Sequence, residues 1–255
     1  MSKRPLILWI PRKSLVWVGV FVIALAGIAG LSALDAVETL GVAEFLKLRS
    51  LDPGGSERPA QEPIAPLTGL LIVLDPGHGG DDRGVCHFES DLIEKEINLD
   101  LALRLQEQLE KAGARVLLTR ADDTFVPLDE RARIANDAEA HLFLSLHVNR
   151  IPGHPDCFGA QAFYFPGSKE GERLAQLLQE ELIKIDPENY RSPLPGNYRV
   201  LRLTTMPGAL VEIGFMTSAR DRELIATAEY RDQVAMAITQ GVIRFFTESP
   251  PPPRR

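Results

Sequence analysis

In 255 residues there are only two cysteines, Cys86 and Cys157, too few for the disulfide framework that holds small secreted domains together. Two separate small residues is the simpler reading, although in an extracytoplasmic protein they could pair. Basic charge is also scarce: beyond residue 69 the chain carries 21 basic and 29 acidic side chains, a formal charge of −8. An acidic domain is a poor nucleic-acid binder, so no nucleic-acid partner is expected. There is no internal repeat and no HExxH metalloprotease signature. The glycine-rich stretch Gly77-His78-Gly79-Gly80 lacks the spacing of a P-loop or a dinucleotide fingerprint.

What is present begins with a run unlike the rest. Lys3, Arg4, Arg12 and Lys13 precede "SLVWVGVFVIALAGIAGLSAL", residues 14–34, which holds no charge and is long enough to span a bilayer, for which about 20 apolar residues suffice. The positive flank lies on the amino side, which puts the bulk of the chain outside the cytoplasm. An uncleaved anchor is therefore expected over residues 1–34, with a cleavable signal peptide as its rival. Residues 35–69 read as a linker, since 50–69 hold four prolines and three glycines. A single domain of about 180 residues follows at 70–247, then a proline-rich tail at 248–255.

Within the domain, apolar runs alternate with helical periodicity. "LLIVLD", "RVLLTR", "HLFLSLHVN", "AQAFYF" and "ALVEIGF" read as strands. "LIEKEINLDLALRLQEQLEKAG", "LDERARIANDAEA", "SKEGERLAQLLQEELIKI" and residues 218–247 read as helices. Such alternation predicts an α/β three-layer sandwich, a largely parallel central sheet flanked by helices, preceded by one transmembrane helix.

Chemistry gathers at the strand ends. His78 follows the first strand on a glycine hinge, His147 ends "HLFLSLH", and Glu212 interrupts the apolar "PGALVEIGF". Ligands of open α/β sheets bind beyond the carboxyl ends of strands, so these three would meet on one rim. His141 shares the strand face of His147 but lies about 20 Å away along a continuous strand, too far to share an ion. Catalytic zinc typically takes three protein ligands, and the third needs a carboxylate: Glu94 and Glu96 open the first helix, Glu89 stands in the loop before it, and periodicity does not choose. A lone buried carboxylate such as Glu212 is costly without a partner, which suits either a core ion pair or a catalytic base. Asp75 could orient a ligating histidine or simply make a turn. Arg131 could meet substrate carboxylates, although a structural ion pair suits it better. Asn149, two positions past His147, could line the cleft or end the strand.

The ordered segments "IVLDPGHGGDDRGV", "EKEINLDLALRLQEQLEKAGARVLLTRADD", "LDERARIANDAEAHLFLSLHVN", "FGAQAFYF" and "VLRLTTMPGALVEIGFMTSARDRELI" resemble the zinc-dependent N-acetylmuramoyl-L-alanine amidases over residues 70–247. The resemblance implies Zn²⁺ on His78, Glu94 and His147, with Glu212 as the catalytic base. It also implies hydrolysis of the amide between N-acetylmuramic acid and L-alanine in peptidoglycan. Within that family the layout is most similar to the spore-cortex, germination-specific members, which implies an extracytoplasmic place, membrane-anchored or secreted on the cortex side of the spore envelope, and leaves room for an activator protein. The alternative is an inert peptidoglycan-binding or regulatory homologue, which should have lost one of these four residues.

Overall fold

In the computed structural model, residues 65–248 are described. The expected anchor and almost all of the linker, at residues 1–64, and the tail from 249 onward lie outside them. Among the described residues no helix is long and apolar enough to cross a membrane.

Six strands form one twisted sheet in the order β4-β1-β5-β8-β6-β7. They are β1 (Leu71–Pro76), β4 (Arg115–Leu118), β5 (Leu142–Asn149), β6 (Gln161–Tyr164), β7 (Leu194–Pro195) and β8 (Gly208–Phe215). The first four in that order run parallel. β6 pairs antiparallel with β8 and carries β7 beside it, so the sheet is mostly parallel with a reversed edge. A separate two-residue hairpin joins β2 (Cys86–His87) to β3 (Leu92–Ile93).

Helices cover both faces. On one side α1 (Glu94–Lys111), α3 (Lys169–Ile185) and α6 (Ala228–Thr247) pack their apolar stripes on Ile72, Leu74, Leu144, Leu146, Val211 and Ile213. On the other, α2 (Leu128–Asp137) and α4 (Arg199–Leu203) make a smaller core around Val73, Phe143, Phe163 and Leu210. The helical stretch expected over 218–247 is two helices, α5 (Ala219–Ile225) and α6, because Thr227 caps the second by accepting from Tyr230 N.

Side chains alternate across a strand, so each central strand turns from apolar to polar along the thinly covered face. Val73 gives way to Asp75, Phe143 to Ser145 and His147, and Leu210 to Glu212. On reversed β6, Gln161 comes before Phe163 and is the register neighbour of Glu212. The polar groups thus collect on the sheet face, within the carboxyl-terminal halves of β5 and β8, rather than wholly beyond the strand ends. A β-bulge follows: His147 pairs with Glu212, but Asn149 pairs with Phe215, so β8 holds one extra residue and its end bends.

Candidate active and metal site

His78 sits two residues past β1, Glu94 is the first residue of α1 and His147 lies in β5. The glycines explain how three remote segments meet. A Cβ at Gly77 would stand 2.2 Å from the His147 ring, and one at Gly84 would stand 2.6 Å from Glu94 Oε2 and 2.7 Å from His78 Cδ2. Only a chain without side chains at both points passes this close.

The donors converge on one carboxylate oxygen. Glu94 Oε1 lies 3.0 Å from His78 Nε2 and 3.0 Å from His147 Nδ1, and the three ligand atoms are all within 4.8 Å of one another. Two imidazoles and a carboxylate around tetrahedral zinc would hold their donor atoms about 3.3 Å apart, so the set fits that ion. The backbone fixes Glu94 further: Val148 N donates to Oε1 at 3.1 Å and Val85 N to Oε2 at 2.7 Å. Burial alone would raise the Glu94 pKa, but the hydrogen bonds and charges of His147 and His78 overcome it and hold the carboxyl well below the usual range. His78 is likewise pulled in two directions: burial lowers its pKa, and Glu94 and Asp82 together raise it.

Asp82 is the residue that sequence reasoning passed over. Its Oδ2 lies 2.9 Å from His78 Nδ1, the ring nitrogen turned away from Glu94, while Oδ1 accepts from Gly84 N at 3.1 Å. A carboxylate on the far nitrogen is the common way to orient a ligating histidine. The visible signal was an aspartate four positions after His78 in the same glycine turn.

Asp75 is committed elsewhere. Oδ1 accepts from Thr119 Oγ1 and Arg131 Nη1, and Oδ2 from Ser145 Oγ. Arg131, only 2% exposed, turns its guanidinium to Asp75 and to the carbonyls of Val126, Pro76 and His78, not to a substrate's carboxylate. Asn149 closes the end of β5: its Oδ1 accepts from Arg150 N and its carbonyl from Met216 N. Glu89 is exposed in a 3-10 turn, His87 bonds Ser90, and His141 accepts from Leu71 N. None of these three joins the cluster. Cys86 and Cys157 are free thiols.

Glu212 is the contrasting carboxylate. It is buried, and its Oε2 has no hydrogen-bond partner among the described residues. Burial pushes its pKa up to about 7; the charge of His147 opposes this and that of Glu94 adds to it. Beside the cluster opens a cleft of about 310 Å³, lined by His78, His147 and Asp82 together with the apolar Phe125, Val126 and Leu128.

A glutamate and two histidines converging at one point form a potential metal-binding triad on an α/β sheet, beside a buried carboxylate of raised pKa on the neighbouring strand. The chain belongs to the N-acetylmuramoyl-L-alanine amidase family, which matches residues 72–244. It is similar to the germination-specific N-acetylmuramoyl-L-alanine amidase of Bacillus subtilis, at 36% identity over 204 residues, covering 74% of this chain and 84% of that protein. Among solved structures, the CwlD amidase of Clostridioides difficile in complex with the GerS lipoprotein superposes with a TM-score of 0.68 at 30% identity, covering 71% of this chain and all of that one. An N-acetylmuramoyl-L-alanine amidase of Nostoc punctiforme gives 0.66 at 35% identity, covering 70% and 98%.

Proposed function

We propose that this chain is a zinc-dependent peptidoglycan amidase that cleaves the amide between the lactyl group of N-acetylmuramic acid and L-alanine, with a role in the spore cortex. The observation that carries the reading is the meeting of His78, Glu94 and His147 beside a buried, unpartnered Glu212. His78 Nε2, His147 Nδ1 and Glu94 would hold the zinc, with Asp82 keeping the His78 ring in register. When bound, zinc supplies a Lewis acid that polarises the scissile carbonyl and makes water acidic near neutral pH.

The protein's own part is proton transfer and placement. Glu212, with a pKa near 7, suits both directions of transfer. Its carboxylate takes a proton from the attacking water as the new C–O bond forms. It returns that proton to the departing L-alanine nitrogen as the C–N bond breaks. The cleft lined by the two imidazoles, Phe125, Val126 and Leu128 seats the substrate beside these groups.

The remaining organisation belongs to the same proposal: a membrane anchor or signal peptide over 1–34, a linker over 35–69, the catalytic domain over 70–247 and extracytoplasmic action. The solved relative bound to a lipoprotein supports an activator partner. The test is zinc content together with mass-spectrometric products from the protein incubated with peptidoglycan. One zinc per chain and peptides with a new L-alanine amino terminus are expected. Free acetate as the product would reassign it as a deacetylase, and bound wall polymer without cleavage as an inert homologue.

A further inference from the structure

His78 has a backbone φ of 63°, a left-handed conformation that a residue with a side chain keeps only where its surroundings impose it. The surroundings are two buried guanidiniums. Arg120 Nε donates to Pro76 O at 2.9 Å, and its Nη2 donates at 2.8 Å to both Gly77 O and Lys95 O. Arg131 Nη1 donates to Pro76 O at 2.7 Å and Nη2 to His78 O at 2.7 Å. Three successive carbonyls of one turn therefore end on the same pair of side chains.

This pairing is costly and so is informative. Both guanidiniums share Pro76 O and lie side by side away from water, yet Asp75 is the carboxylate that directly pairs with one of them, Arg131. Among the described residues no carboxylate reaches ion-pair distance of Arg120. The charges of Asp123, Asp75 and Asp122 favour this second buried cation only from a distance; its direct partners are backbone carbonyls, and those of Gly77 and Lys95 tie the turn to the first helical turn of α1, where Glu94 sits. Arg131 Nε adds a bond to Val126 O at 2.8 Å, joining the apolar wall of the cleft to the same frame.

We infer that Arg120 and Arg131 are positioning residues that present the His78 imidazole for metal capture by clamping the carbonyls of residues 76–78. The inference rests on the zinc reading above. Lysine keeps the charge but cannot reach several carbonyls with one fixed fork, so Arg120→Lys and Arg131→Lys are the probes. Leu178→Ala, a truncation in the core on the opposite sheet face, is the comparator for mere loss of stability.

Two measurements on metal-free protein decide it: Zn²⁺ affinity by chelator competition, and amide hydrogen exchange across residues 77–85. Both arginine variants should bind zinc roughly 10- to 100-fold more weakly and lose protection across that segment. Leu178→Ala should melt lower while keeping both. Arginine variants that only melt lower, with wild-type zinc affinity and exchange, would overturn the inference. If the parent protein takes up no zinc, the metal reading fails on its own and exchange decides the clamp, retained protection sinking it and lost protection upholding it. Should Arg131→Lys fail to fold, Arg120→Lys carries the test, because every bond it alters ends on a backbone carbonyl.

Discussion

Glu94 and Glu212 are the same side chain, both buried beside the same two histidines, and their surroundings give them opposite character. Glu94, at the mouth of α1, receives two backbone N–H groups and stands between two imidazoles, so its carboxyl is held well below the usual range. Glu212, in the middle of an apolar strand, is pushed up to about 7 by burial and leaves Oε2 without a partner. Solvent exposure does not separate them, since both are nearly excluded from water. The number of donors does. A permanently charged carboxylate suits holding a cation, and one that exchanges its proton near neutrality suits moving protons.

The contrast breaks most visibly at Glu94. Glu94→Ala should abolish stoichiometric zinc and hydrolysis together, whereas Glu89→Ala should keep both; metal analysis of the two purified variants checks this. Glu212→Gln should retain zinc and fold normally but lose turnover by roughly 10²- to 10⁴-fold, the usual worth of a general acid–base. Zinc lost along with activity in that variant would make Glu212 a ligand and erase the division of labour.

The smallest effect sharpens the comparison through pH. In metal-free protein the folded pKa of Glu212 is raised, so its contribution to stability is full below about 4.5 and is lost as pH climbs through about 7, an effect of about 3 kcal/mol. Glu94 has the opposite sign: its folded pKa is depressed, so its contribution is present above about 4.5 and is lost as pH falls below that. His78, also raised, overlaps the window of Glu212. Urea unfolding of wild type and Glu212→Gln at pH 4.5 and 7.5 therefore isolates the strand carboxylate by difference, and equal pH slopes would show that its burial does not perturb it.

The strands and long helices were legible because each must bury an apolar stripe, and periodicity records that. The sheet's reversed edge was not, since an apolar run such as "AQAFYF" states that a strand exists and not which way it points. Strands of two residues, Cys86–His87 and Leu194–Pro195, are too short to show any period. At the site, His78, His147 and Glu212 stood out as polar residues ending or interrupting apolar runs. Glu94, Glu96 and Glu89 could not be separated by periodicity; family likeness favoured Glu94, and the fold brings that residue between the histidines. Asp82, four positions after His78, and Arg120, at the end of "RVLLTR", are visible as polar residues, but the order of side chains does not say what they bond. Their partners are a neighbouring ring and a set of backbone carbonyls, and periodicity does not report contacts of that kind.

The passage of the backbone past the cluster at Gly77 and Gly84 also bears on how the protein can change. Any other residue at either position would place a carbon within 2.2 Å of the His147 ring or 2.6 Å of Glu94, and at Gly84 the φ of 63° adds a second objection. Variation at these points would force the His147 ring, the Glu94 carboxylate or the His78 ring to move. Phe125 and Leu128 line the same cleft and stand about half exposed, so exchanging them would reshape the pocket while leaving His78, Glu94 and His147 in place. The rigid and the exchangeable parts of the pocket thus fall on separate residues of one cleft.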